Sequence, residues 1–565
     1  MTNWQFAICD GLARVHPTST PRPLASDTIL QAFLGEPASF QLAYRPPDNP
    51  DRPDNRPLTI RVSGAAADLV TMSCVGLVPA AFVALPGHDD GYEWDTPGLY
   101  PDVLRPAPDG SAPVIPGAWL AVWFDVKTAD PNRAGEHHLL ITATTADGDE
   151  VFRQVVTVSI TGVTLPPLGI VSSHWMHLDS LADHYQVPVF SEQHWDLIDR
   201  FMASAAQLGA NSLLTPVWTP PLDTAVGSYR STVQLVDITT DGDGTYHFDF
   251  SKLRRWLALC RRHGITNIEI AHLFTQWGAA FTPAIVISEN NATQPTRAFG
   301  WEVAATDPRY RHLLAALLPA LQQVLSAEWQ PENVVFHISD EPTPENMANY
   351  LAAKNVVADL LDGWTVADAL SDFAFYQTGA VKLPIVATDH VAPFFAARDV
   401  QTGDEPPTAQ VERIKMWVYY CVAQHRDVAN RFIGMPSARN RAIGQQLFAN
   451  RVAGFLHWGF NFWYTDHARA QVNPFADTTA GGAFQAGDAF IVYPGEDGTP
   501  WPAIRHRVFA QAIWDYRALQ AVKARHGEAA ALKTIGGPIA FDQPNLDPKH
   551  YYQLRQRLVA ALQAG

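Results

Sequence analysis

Residues 336–346 read FHISDEPTPEN, and they place two acids, Asp340 and Glu341, side by side at the end of an apolar, β-prone run. A structural task is available to each: Asp340 could cap a helix N-terminus, and Glu341 could sit favourably in the first turn. Thr343-Pro344, followed by Glu345 and Asn346, is however a better local helix start, which leaves Asp340 without a capping role. Two close carboxylates raise one another's proton affinity, which yields a general acid at neutral pH. Glycosidic bonds are commonly hydrolysed by two carboxylates. Neighbours on a strand point in different directions, so flanking one bond from opposite faces is awkward. A different division of labour fits: Glu341 protonates the leaving oxygen and later acts as base. Asp340 binds the N–H of a 2-acetamido group whose carbonyl oxygen attacks C1, and balances the resulting oxazolinium charge.

The elements that must position these acids follow from the patterning. The chain has 565 residues, too many for one ordinary core. Up to about residue 165 the signals are strands, among them 118–128 and 137–161, the latter turning at Asp147-Gly148-Asp149. Proline- and aspartate-rich loops such as 45–57 separate them, and a β-sandwich over 1–165 is predicted. After a linker at 164–169 the rhythm becomes strand, helix, strand. Strands are expected at 170–179, 211–218, 267–274, 333–340, 365–372, 385–391, 415–422 and 453–463. Helices are expected from Ser191 to Gly209, over 251–263, from Asp307-Pro308, from Thr343-Pro344, over 437–451 and from 503, with a hairpin-like insertion around 241–244. The fifth and sixth crossovers are weakly marked. Eight strands of this kind predict a (β/α)8 TIM-like barrel over 170–525, with a helical extension over 526–565 packed on it. Chemistry in such a barrel gathers at the strands' C-terminal ends, where Asp340 and Glu341 fall.

Other candidates lie near predicted strand ends. Trp175, Trp218, Trp277, Trp458 and Trp463, five of the chain's 17 tryptophans, and His177 are positioned as residues that stack on sugar faces. Either Tyr419 or Tyr420 could hold an acetamido oxygen, strand alternation allowing only one to face the barrel interior. Asn461 could bind a sugar hydroxyl, and Asp389 with His390 could form a polar clamp. The histidines at 174, 177, 272, 337, 390 and 457 have no metal-ligand spacing, and no HExxH or paired CxxC occurs. No phosphate-binding glycine motif or Gly-x-Ser-x-Gly elbow is present. No metal and no cofactor is expected. Forty Lys and Arg stand against 57 Asp and Glu, and this net charge of -17 disfavours nucleic acid or an anionic membrane as partner. No run of 18 apolar residues and no signal peptide is visible, and the four cysteines are widely spaced. A cytoplasmic location with reduced thiols is expected.

Several segments carry a resemblance. The SDEP stretch, WTPPLDT (218–224), GAAFTPAIV (278–286), FGW (299–301), HWGFNFWY (457–464), GDAFIVYPG (487–495) and IRHRVFAQAIWDYRAL (504–519) resemble the family called domain of unknown function 4091, which is related to glycoside hydrolase family 123. The likeness spans about 170–520. It implies a β-domain followed by a catalytic barrel and a β-N-acetylgalactosaminidase-like activity, with Asp340-Glu341 matching that group's adjacent catalytic pair. The late helix at 504–519 departs from the group's more acid-rich form.

The leading expectation is therefore a retaining, exo-acting β-N-acetylhexosaminidase acting on a small oligosaccharide or glycoside, with a homo-oligomer possible. One alternative keeps Glu341 as acid but cleaves a sugar without a 2-acetamido group, using another carboxylate such as Asp389 or Asp179. A second is a non-catalytic carbohydrate-binding protein, which an exposed, unperturbed acid pair would favour.

Overall fold

The computed structural model describes residues 4–48, 55–241, 244–289, 294–400 and 415–563. Residues 49–54 of the proline-rich loop and Gly242-Asp243 of the expected insertion lie outside the described residues.

The first 164 residues form two five-stranded sheets. The strand Ala38–Arg45, next to the central Leu120–Val126 of its sheet, is buried along nearly its whole length. Period-2 alternation turns Phe40, Leu42 and Tyr44 into the inter-sheet core, with Ile8, Phe124, Leu139 and Ile141. Ala43 faces the other way and joins Cys9, Phe33, Val78 and Val103 in a core shared with the second half of the chain. The turn expected at 147–149 joins Gly135–Thr144 to Glu150–Thr164. Strand Ile29–Leu34 then pairs parallel to Glu150–Thr164, across more than a hundred residues of sequence.

The second half is a closed eight-stranded parallel barrel. Its strands are β1 (Val171–His174), β2 (Ser212–Thr215), β3 (Asn267–Ile270), β4 (Val334–Phe336), β5 (Thr365–Leu370), β6 (Leu383–Ala387), β7 (Trp417–Tyr419) and β8 (Gly454–His457). They are buried on both faces, which is why each reads as an apolar run. The helix Glu192–Leu208 starts where Ser191 accepts from the His194 amide and stops at Gly209, whose φ of 103° suits glycine. Asp307 caps Pro308–Ser326 in the same way. The fifth crossover is weakly marked because its helix is short, Ala374–Gln377, and the described part of the sixth carries Ala392–Val400. At the barrel's C-terminal face the insertion is larger than a hairpin: Asp237–Thr240 and Tyr246–Asp249 combine with Ile285–Glu289 and Thr296–Phe299 from the next loop in a four-stranded sheet.

The two halves are joined by buried charge. On the late helix Ile504–His526, Arg505 makes two 2.8 Å bonds to Asp102 of the sandwich, which also accepts from the Tyr493 hydroxyl. Arg507 reaches Asp125 at 3.0 Å. The basic character of this helix thus answers acids on the sandwich. The stretch 164–169 is held by Arg517, which donates to the carbonyls of Leu165 and Pro166. In the C-terminal helix Pro548–Gln563, Arg555 bridges Glu36 of the sandwich and Asp515 of the late helix.

Candidate active site

β4 ends its ladder at Phe336, yet neighbours on both sides hold the chain onward to Asp340 through bends at Ile338 and Asp340. The carbonyls of His337 and Ile338 accept from the amides of Leu273 and Phe274. On the other side one carboxylate oxygen of Asp368, on β5, accepts from the amides of Ile338 and Ser339 at 2.9 and 3.2 Å. Glu341 then donates its amide to the Ala369 carbonyl. Its φ is 45°, in the left-handed region that non-glycine residues rarely occupy. In an extended strand Asp340 and Glu341 would face opposite ways. The left-handed turn breaks that alternation, and both line the same cavity.

That cavity, about 130 Å³, sits at the C-terminal mouth of the barrel. Trp175, Trp277, Tyr419, Trp458 and Phe484 supply its aromatic walls, and Leu222, Asp223, Gln276 and Cys421 complete much of the rest. Asp340 is buried and accepts from the Gln276 side-chain amide at 2.8 Å. Glu341, half-buried, accepts from the Tyr419 hydroxyl at 2.8 Å. Each acid therefore has its own donor, and neither caps a helix. Burial, then the charge of Glu341, pushes the Asp340 carboxyl well above the ordinary carboxylate range. Burial raises Glu341 as well, with the Tyr419 hydrogen bond opposing. Two such groups in one desolvated cavity each raise the other's hold on a proton.

A model of the glycoside hydrolase 123 catalytic domain matches residues 175–522. The chain belongs to glycoside hydrolase family 123. It is a glycosidase, and the burial and raised proton affinity of its acid pair agree with that rather than with a non-catalytic sugar-binding protein. A family 123 glycoside hydrolase from Clostridium perfringens, studied for glycolipid glycan hydrolysis, shares the fold at a TM-score of 0.74, covering 100% of this chain and 99% of that chain at 12% identity. The β-glucuronidase of Parabacteroides merdae (TM-score 0.31, 11% identity, 86% of this chain and 50% of that one) and the endo-β-1,4-mannanase of Thermotoga petrophila (TM-score 0.32, 11% identity, 62% and 77%) are too distant to carry an argument. No curated protein sequence matches significantly.

The family 123 barrel brings Asp340, Glu341, Trp175, Trp277, Tyr419 and Trp458 around one cavity. It turns Tyr420 away, to pack against Phe455 and His457. The other candidates lie outside the cavity lining. Trp218 is fully buried and donates to the His272 carbonyl, and Trp463 donates to that of Val492. Asn461 clamps the backbone N–H and C=O of His177, whose ring lies between the Trp458 carbonyl and Arg230. Burial, then Arg230, holds that ring's pKa down at about 3. These four fix the loops after β1, β2 and β8. Asp389 pairs with His390 and accepts from Gln424 beside the β7 end. Asp179 is fully buried in a two-pronged pair with Arg230.

Sequence reasoning overlooked Gln276, although it follows the β3 run much as Asp340 follows β4. It also overlooked Asp223 and Phe484, which come from long loops with no local signal. A further signal was present and unused: an acid or histidine set inside three successive buried strand segments, Glu269 in NIEIAH, His337 in VVFHIS and Asp368 in TVADAL.

Proposed function

We propose that this family 123 enzyme is an exo-acting, retaining β-N-acetylhexosaminidase of galactosaminide type that uses the substrate's own acetamido oxygen as nucleophile. The observation that carries the reading is the separate anchoring of two adjacent acids in one small cavity, Asp340 on Gln276 and Glu341 on Tyr419. An acetamido N–H donating to Asp340 selects the form in which Asp340 is ionised, so the shared proton moves to Glu341. Glu341 then gives that proton to the glycosidic oxygen as the C1–O bond breaks and the acetamido oxygen bonds to C1. The carboxylate of Asp340 faces the oxazolinium charge, and the Tyr419 hydroxyl stabilises the newly formed Glu341 carboxylate. Water, losing a proton to Glu341, opens the oxazolinium at C1, and two displacements retain configuration. Residues 170–525 carry this chemistry, with 1–165 as a buttress and 526–565 as a clasp between them.

A second reading, cleavage of a sugar without the acetamido group, draws on Asp223, a third carboxylate in the cavity lining. Its side chain accepts from the His467 amide at 3.0 Å. The two readings part in kcat/KM for β-GalNAc, β-GlcNAc, β-Gal and β-Glc aryl glycosides, with wild type and Asp340→Asn. The first requires preference for an N-acetyl sugar, a large loss in the variant and tight inhibition by the matching thiazoline. A 2-hydroxy sugar as best substrate, without thiazoline inhibition, would overturn it.

A further inference from the structure

Directly beneath the pair, three fully buried ionisable side chains from three successive strand segments stand in a row. His337 Nε2 lies 3.2 Å from Glu269 Oε2, and its Nδ1 lies 3.7 Å from Asp368 Oδ1. The other partners of both acids are donors. Glu269 accepts from the Ser212 hydroxyl at 2.7 Å and from Trp175 Nε1, the indole that also lines the cavity, at 3.1 Å. Asp368 accepts from two backbone amides and from the Tyr350 hydroxyl at 2.5 Å. The ring of His272 stacks on that of His337 with centroids 4.6 Å apart.

A neutral imidazole has one N–H, so it would turn a lone pair towards one of these carboxylates. Two buried carboxylates with no cation between them would also be uncompensated. We infer that His337 is a permanently charged positioning residue, an imidazolium clamped between Glu269 and Asp368 that sets the proton count of the Asp340-Glu341 pair. Burial alone would lower the pKa of His337, but Asp368 and Glu269 push it up to about 10. His272, held well below its ordinary value by burial and by His337, stays neutral. Glu269, which burial would raise, is brought below its ordinary value chiefly by His337. Asp368 stays above its own, burial outweighing His337 and Tyr350. The charges facing Asp340 are therefore Glu341 and Asp368, which raise its proton affinity, and His337, which lowers it. Without the imidazolium, Asp340 would keep its proton to higher pH and could not face an oxazolinium in its ionised form.

This inference rests on the pair being the acid and its partner, and two measurements separate the claims. In wild type labelled with 15N-histidine, His337, identified by loss of its signals in His337→Gln or in Asp368→Asn/His337→Gln, should show both ring nitrogens protonated at pH 8. A neutral ring there overturns the inference whatever the variants do. In kcat/KM against pH, His337→Gln should move both limbs upward by about one unit, the effect of removing one nearby opposite charge. The double variant Asp368→Asn/His337→Gln, which removes one positive and one negative charge that both face Asp340, should return the limbs close to wild type. It also leaves one fewer unpaired carboxylate if the single variant folds poorly. Unmoved limbs in His337→Gln, while Glu341→Gln remains severely impaired, would sink the inference and leave the catalytic reading standing.

Discussion

Replacing Glu341 by Gln tests the assignment of the acid most directly, because little else changes. Gln has the same branching, so the left-handed φ of 45° costs the same, and its side-chain oxygen can still accept from the Tyr419 hydroxyl. What is lost is the proton that burial holds on the carboxyl above its ordinary range. General acid catalysis contributes about 10²–10⁴ in rate, which is about 3–5 kcal/mol of barrier at 1.36 kcal/mol per tenfold. That full loss applies only where the leaving oxygen needs protonation in the transition state. The assay is therefore kcat/KM across aryl glycosides from phenol to dinitrophenol, at several pH values. Wild type should depend weakly on leaving-group acidity and the variant steeply, the two converging at dinitrophenol. Wild type should also lose activity on the alkaline side as the shared proton is released, at a pH above the ordinary glutamate value of about 4.3. The variant should lack that limb. An equal loss for phenol and dinitrophenol would refute the reasoning, and Glu341 would then be orienting substrate rather than donating a proton.

Gln276→Ala removes the 2.8 Å donor that favours ionised Asp340, a bond to a charged group worth about 1.5–3 kcal/mol. The expected result is a roughly 10- to 100-fold fall in kcat/KM for an N-acetyl substrate with the acid limb moved to higher pH; an unchanged profile would show that Gln276 only packs. Asp340→Asn should raise thermal stability at pH 7 while abolishing efficient turnover. The sign follows from linkage: the folded pKa of Asp340 lies above its unfolded value, so its contribution is fully present below about pH 4 and is lost as pH rises through the folded pKa. The gain in melting temperature should therefore shrink from pH 7 towards pH 4. A gain that is the same at both pH values would argue against a raised carboxyl.

Most of the barrel was legible because parallel strands buried on both faces leave uninterrupted apolar runs, and because caps such as Ser191 and Asp307 are local chemistry. The strand ends were less so. The expected strand 333–340 outruns its ladder by four residues, since His337 to Asp340 bend at Ile338 and Asp340 and are held by Asp368's side chain and neighbouring loop amides instead of a β5 ladder. The rim sheet was missed because Ile285–Glu289 pairs with Asp237–Thr240 from another loop, a non-local contact that no turn motif announces. Within the site, the two acids were legible as a pair but not as neighbours on one cavity wall. That depends on a left-handed glutamate, a conformation its residue type does not favour. Tyr419 and Tyr420 are equivalent by type, and the register of β7 decides between them.

The left-handed backbone at Glu341 is accompanied by others around the same mouth: Asp223, Trp277, Ala279 and His467 all have positive φ. Such conformations cost roughly 1–3 kcal/mol each and persist only where their surroundings over-determine them. Here the surroundings form one hydrogen-bonded chain. The His467 amide donates to the Asp223 carboxylate, the Asp223 amide to Gln276 Oε1, Gln276 Nε2 to the Asp340 carboxylate, and the Trp277 amide to the Asp340 carbonyl. Loops after β2, β3, β4 and β8 thus hold one another in strained geometry, and the carboxylate at the end of that chain is the one whose orientation substrate assistance demands. The opposite wall is braced differently. Trp458 donates to Asp488, and Arg505, anchored on Asp102 of the sandwich, donates to the flanking carbonyls of Gly487 and Phe490. One side of the cavity is therefore fixed by loop-to-loop bonds within the barrel and the other by a buried ion pair that reaches into the sandwich. This gives the N-terminal half a physical part in shaping the site although none of its described residues lines the cavity.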